Sequence, residues 1–150
     1  MNRLRQRGIT TVEFAIVGTV VLTLMFAIIE FGRMLFALNV LDEGARRSAR
    51  LAAVCAVNDS AIANAAILGT LPGLTTSNVV IEYLDDNGAV LGDPAGANYT
   101  KIRYVRVRIV GYSFPIAIPF AAPTFTAPET SSTLPRESLG VPRFGAPAAC

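Results

Sequence analysis

The chain has 150 residues, of which 52% are hydrophobic and 16% charged, with a formal net charge of +2. Soluble domains carry about a quarter charged residues, so this shortfall argues against both a disordered chain and an ordinary cytosolic enzyme. With no histidine the commonest general base and metal ligand are missing, two cysteines are too few for a four-thiolate zinc site, and so small a net charge gives no case for nucleic acid.

The first eight residues contain Arg3, Arg5 and Arg7 and no acid. An uncharged run of 16 residues follows at 14–29, and the apolar stretch begins earlier, at Ile9, broken only by Glu13. A spanning helix needs about 20 mostly apolar residues, which 9–29 supplies if Glu13 is tolerated within it. The arginines predict a cytoplasmic amino terminus and place everything after Ile29 in a periplasm or at the cell exterior. There is one such run, so a multi-pass protein is excluded. An ordinary secretory signal would end in small residues, whereas this run ends Leu24-Met25-Phe26-Ala27-Ile28-Ile29. Leu51-Ala52-Ala53-Val54-Cys55 faintly resembles a lipoprotein signal, but charged residues from Glu30 to Arg50 separate it from the apolar run.

Glu13 is the unusual residue. An acid at the centre of a span costs about 2.5–3.5 kcal/mol on insertion scales, and less near an end where it reaches the interface. It is either a tolerated interfacial acid or a buried acid that waits for a cation. The best candidate cation is a free α-amino group on a neighbouring chain, made by proteolysis at Gly8.

Arg7-Gly8-Ile9-Thr10-Thr11-Val12-Glu13-Phe14 resembles a type IV prepilin leader junction. Val12-Glu13-Phe14-Ala15, Ile29-Glu30-Phe31-Gly32-Arg33 and Glu43-Gly44-Ala45-Arg46-Arg47-Ser48-Ala49-Arg50 resemble the TadE-like family. Its members are pilin-like (pseudopilin) components of the tight-adherence, or Flp, pilus machinery. The likeness is strong over 1–57 and weaker beyond. One departure is Leu41-Asp42-Glu43-Gly44-Ala45-Arg46, where family members usually read Ala-Arg-Glu-Gly-Ala-Arg. The resemblance implies cleavage between Gly8 and Ile9 by a membrane aspartic prepilin peptidase. It also implies pairing of the new Ile9 amine with Glu13, beside Phe14, in subunit assembly. Unpairing such a charge in a low dielectric is costly, so Glu13 would set register as well as stability.

The helical pattern continues past the membrane. Glu30 and Arg33 share a face and are expected to pair at the outer interface, with an assembly contact as the alternative. From Glu13 to Glu30 is roughly 25 Å at helical rise, close to one hydrocarbon thickness. Leu35, Leu38, Leu41, Ala45, Ala49, Ala52 and Ala56 then recur at three- and four-residue steps, with Arg46, Arg47 and Arg50 largely off that stripe as a solvated face or as contacts to acidic lipid or partners. A single helix over 9–57 would be about 70 Å long, too long to bury in so small a domain. That is the sequence-level case for an assembly subunit.

The outer region, 58–150, opens with Asn58-Asp59-Ser60 as a cap for a short helix over 61–68. A strand is predicted at 79–84, a hairpin turn at Asp85-Asp86-Asn87-Gly88, and a return strand at 89–91. The longest strand signal is 101–114, with Val105, Val107 and Ile109 on one face and Tyr104, Arg106 and Arg108 on the other. Val79, Ile81 and Tyr83 would pack with the apolar set, and Glu82 would answer an arginine across the pair. Residues 114–128 are apolar and proline-broken, and predict a loop that packs on the core or touches membrane or a neighbour. A last edge strand is expected within 130–139, interrupted at Pro135.

Cys55 and Cys150 are an even pair in an oxidising outer compartment, and a disulfide between them is expected. Two thiols, or an intersubunit bond from Cys150, are the alternatives. Asp85, Asp86, Asn87 and Asp93 offer oxygen ligands for calcium, but Asp-Asp-Asn-Gly is chiefly a turn signal. Lys101, Arg103, Arg106, Arg108 and Tyr104 read as the solvent face of a strand, not a nucleic-acid surface.

The expected fold is α+β: a long amino-terminal transmembrane helix running into a small outer domain whose antiparallel sheet packs on it, as in type IV pilins. The organisation is 1–8 leader, 9–57 transmembrane and amphipathic helix, 58–150 outer domain. The expected function is a minor pilin or pseudopilin processed after Gly8, with no catalytic residues, metal, cofactor, nucleic acid or small-molecule substrate. Its partners would be the membrane, the prepilin peptidase, other pilin-like subunits and the inner-membrane assembly platform. It would sit in the bacterial inner membrane or in the pilus. The alternative is an unprocessed single-pass scaffold of a pilus or secretion machine. Far behind lies a membrane-tethered enzyme or ligand-binding domain.

Overall fold

Helix α1, Arg7–Val54, is 48 residues long and carries two different surfaces. The computed structural model describes residues 7–67, 69, 71–117, 123–141 and 150, with side chains from residue 10 onward. In the first half of α1 apolar side chains point in every direction and none is buried. In the second half Ala37, Leu41, Gly44, Ala45, Ser48, Ala49, Ala52 and Ala53 form a buried stripe. The spacing is that of an amphipathic helix, and the small side chains let other backbone come close. Leu35 lies off this stripe and is exposed, contrary to its predicted place.

Helix α2, Ser60–Ala66, crosses α1 at Gly44 and Ser48. A Cβ on Gly44 would meet the Ala66 carbonyl oxygen at 2.7 Å, so only glycine permits this approach. Ser48 is fully buried, and its hydroxyl donates to the Ile62 carbonyl at 2.8 Å. Asp59 caps α2 by accepting from the Ala61 N–H.

Strands β1 (Val79–Leu84), β2 (Tyr104–Ile109) and β5 (Thr130–Pro135) form an antiparallel sheet in the order β1-β2-β5. Ile81 faces Val107 and Tyr83 faces Val105 across the β1–β2 pair. Val105, Val107 and Ile109 are buried together with the alanine stripe of α1. On the other face Glu82 holds Arg106 at 2.6 Å and Arg108 at 3.3 Å. The sheet therefore lies with its apolar face on the outer half of α1, and the fold is α+β.

Several elements differ from the sequence reading. Helix α1 ends at Val54, three residues before 57. The Ala53 carbonyl accepts from the Glu137 and Leu139 N–H groups, and the Val54 carbonyl from Gly140 N–H and the Ser138 hydroxyl. These bonds satisfy carbonyls that a further helical turn would have used. The predicted strand 101–114 is broken: Gly111 takes φ +65, and Val110 N–H donates to the Asn78 carbonyl. Strand β3, Ser113–Pro115, follows as a separate element. Residues 114–128 are not merely a loop. β3 pairs with β4, Thr124–Thr126, and the rings of Phe114 and Phe125 meet edge-on at 5.5 Å. Residues 118–122 lie outside the described residues. The return strand at 89–91 is reduced to one bridge between Leu84 and Val90.

Candidate assembly interface

Four features of α1 define the candidate site. The first is the apolar surface. Phe14 is 78% exposed and Ile28 is 72% exposed, with comparable exposure between them. A helix apolar all round and bare all round has lipid or other helices as its solvent, not water. Eleven Val, Leu, Ile and Phe residues lie within 12–29. At about −0.3 to −0.6 kcal/mol each they contribute roughly −3 to −7 kcal/mol to insertion, which offsets or exceeds the cost of about 2.5–3.5 kcal/mol for one central acid. Thr19 and Thr23 do not oppose this, because each hydroxyl donates to the carbonyl four residues back, Ala15 and Thr19 respectively.

The second feature is Glu13, which is exposed and has no ion pair or hydrogen bond among the described residues. Phe14 stands next to it, the most exposed of the large apolar side chains among the described residues. Gly8 and Ile9 belong to the first turn of α1, and α1 runs through them without a break.

The third feature is the pair of charges at the outer end of the apolar run. Arg33 Nη1 donates to Glu30 Oε1 at 2.5 Å. Glu30 Oε2 accepts from the Ala117 backbone N–H at 3.2 Å. Glu30 thus ties the helix to the chain leaving β3, a contact between residues 87 apart that no local pattern announces. Tyr112 lies close by, and burial pushes its hydroxyl above the ordinary value of 10.0 while the charge of Arg33 acts the other way.

The fourth feature closes the far end of the helix. Cys55 is fully buried and forms a disulfide with Cys150, with Cα atoms 5.6 Å apart. Asp59 binds the Cys150 N–H at 2.9 Å with the oxygen not used to cap α2. Beside this closure the Tyr83 hydroxyl accepts from Asn58 N–H, and burial raises it above 10.0.

The remaining motifs resolve into local structure. Asp85 accepts from the Asn87 and Ala89 N–H groups, and Asp93 from Ala97 N–H, so both act as turn residues. No group of three or more acidic or cysteine side chains suited to a metal occurs among the described residues. Arg46 pairs with Asp42, and Arg47 with Glu43, one helical turn earlier.

The TadE-like protein family model matches residues 8–50. Residues 8–50 are thus similar to the TadE-like family over less than a third of the chain. The match begins at Gly8 and ends beside the buried stripe, so it spans both surfaces of α1. Within it Gly44 and Ser48 make the crossing with α2, which gives part of the motif a packing reason. The likeness is to a family of components associated with the Tad pilus, and among the described residues α1 is long and apolar enough to cross a membrane. No curated protein and no solved structure is similar enough to the chain to match it.

Proposed function

We propose that this chain is a minor pilin or pseudopilin of a tight-adherence pilus assembly system. A prepilin peptidase cuts it between Gly8 and Ile9, and it assembles with other pilin-like subunits and the inner-membrane platform through α1. The leader side is cytoplasmic and the sheet domain is periplasmic or extracellular. It acts by packing and charge pairing, not by turnover. The observation that carries this reading is the coincidence, on the bare half of one helix, of the TadE-like match with Glu13, five residues after Gly8, whose carboxylate has no partner among the described residues.

Cleavage removes Arg3, Arg5 and Arg7 with residues 1–8 and leaves an amine on Ile9. In a bilayer that amine and Glu13 of an adjacent subunit neutralise each other, which fixes the axial register of neighbouring helices. The test is Glu13→Ala in the native host. The variant is expected to insert into the membrane as well as the parent and to be lost from the assembled pilus machinery. Equal incorporation of the variant and the parent would contradict the pairing role.

A further inference from the structure

The chain from β2 to β3 runs down α1 toward the apolar half. Ile109 packs at Gly44, Tyr112 and Phe114 join the cluster around Ala37 and Met34, and Ala117 reaches Glu30. That descent, from the level of residue 44 to residue 30, is about 21 Å along the helix axis. Ile116 lines a shallow groove with Ala27, Phe31 and Phe114. Ala27 lies inside the uncharged run that ends at Ile29, so the β3 arm reaches the level of the span itself. The β4 arm keeps pace, because Ile116 N–H donates to the Pro123 carbonyl at 2.9 Å.

The chemistry of the arms suits that depth. No charged residue occurs from Ile109 to Pro128. Ser113 and Thr126 bond to each other across the pair. Glu30 accepts the Ala117 N–H at the level where water thins out and an unpaired donor becomes costly. The groove walls contributed by Ala27 and Phe31 are continuous with the bare apolar surface of α1.

We infer that the paired β3 and β4 arms are a second membrane contact, seated against the lipid of the leaflet nearest the sheet domain, with Glu30 as the residue that positions them. These arms and α1 then hold the sheet domain at two points and fix its tilt over the bilayer. This rests on α1 being a membrane anchor, and is independent of cleavage at Gly8 and of assembly.

The full chain has no tryptophan, so single reporters are unambiguous. Ile116→Trp and Thr124→Trp probe the two arms, Val21→Trp the span, and Val90→Trp an exposed site on the sheet domain. Each is reconstituted at low density in phosphatidylcholine–phosphatidylglycerol vesicles with chains brominated at known depths. The expected result is loss of fluorescence at 116 and 124 from bromines near the headgroups, at 21 from deep bromines, and at 90 from neither. Glu30→Ala should reduce the quenching at 116, and Glu30→Gln, which keeps an acceptor for Ala117, should restore it. Reporters at 116 and 124 that are quenched no more than the one at 90 would overturn the inference. So would a blue shift at 116 that appears only as protein density rises, which would make a second copy the occupant. An unquenched reporter at 21 would instead remove the anchor, and the inference with it.

Discussion

The two halves of α1 share one backbone and one hydrogen-bond ladder, yet they are built for different surroundings. Between residues 12 and 31 the large apolar side chains are exposed on all sides, Met34 is half-buried against the core, and from Ala37 to Ala53 small residues on one face are buried under α2 and the sheet. Helical propensity cannot distinguish them. The difference lies in side-chain size and in where polarity appears around the helix. Large apolar groups everywhere make a surface for lipid or sister helices. Small groups on one stripe, with Arg46, Arg47 and Arg50 elsewhere, make a seat for a domain of the same chain. Glu30 and Arg33 mark the change.

The sharpest way to break this contrast is to place the same charge in each half. Ala49→Arg puts an unpaired guanidinium into a fully buried position and is expected to unfold the sheet domain, a loss of several kcal/mol. Val21→Arg should cost about 2.5–3.5 kcal/mol of membrane insertion and leave the sheet domain folded. Membrane fractionation and limited proteolysis read the two outcomes separately.

Removing the disulfide with Cys150→Ser comes next. Closing a loop of 95 residues limits the unfolded chain by about 4–5 kcal/mol in the chain-entropy account. Thermal unfolding of the sheet domain should fall accordingly, and reduction of the parent should reproduce the fall. Insertion of α1 should not change.

Gly44→Ala is smaller but more local. Its methyl meets the Ala66 carbonyl, so a loss of about 1–3 kcal/mol is expected. Gly18 has open space around it, so Gly18→Ala should leave the stability of the sheet domain unchanged. Chemical denaturation of both variants in detergent checks the pair.

The mildest effect is in alkali. Tyr83 and Tyr112 are both raised above 10.0 by burial, so the fold favours their neutral forms. Their contribution is complete below the unfolded value of 10.0 and fades as the pH climbs through the raised folded values. The unfolding temperature should therefore drop above about pH 10, and Tyr83→Phe should make that drop shallower. A pH series of thermal melts detects it.

Much of this architecture is legible in the sequence because it rests on periodicity. The uncharged run and the Val105-Val107-Ile109 face follow from spacings within one element, and the pairing of Glu82 with an arginine follows from the alternation of two strands laid side by side. The edges of elements were less legible because contacts distant in sequence set them. Helix α1 stops at Val54 when residues 137–140 occupy its last carbonyls. The β3–β4 pair forms in spite of its prolines, since Pro115 stands at the end of its strand and the phenylalanines pack across it. Glu30 shows the limit most clearly. Its bond to Arg33 is a helical neighbour relation, but its bond to Ala117 depends on how the whole sheet lies on the helix.

The central claim concerns the amino terminus of the working subunit, and intact-mass spectrometry of the chain purified from the assembled pilus machinery tests it most directly. The account predicts a single species that begins at Ile9, lighter than the full chain by residues 1–8. A subunit that still carries Arg3, Arg5 and Arg7 in the functioning complex would contradict it, and would leave Glu13 without the amine that its position requires.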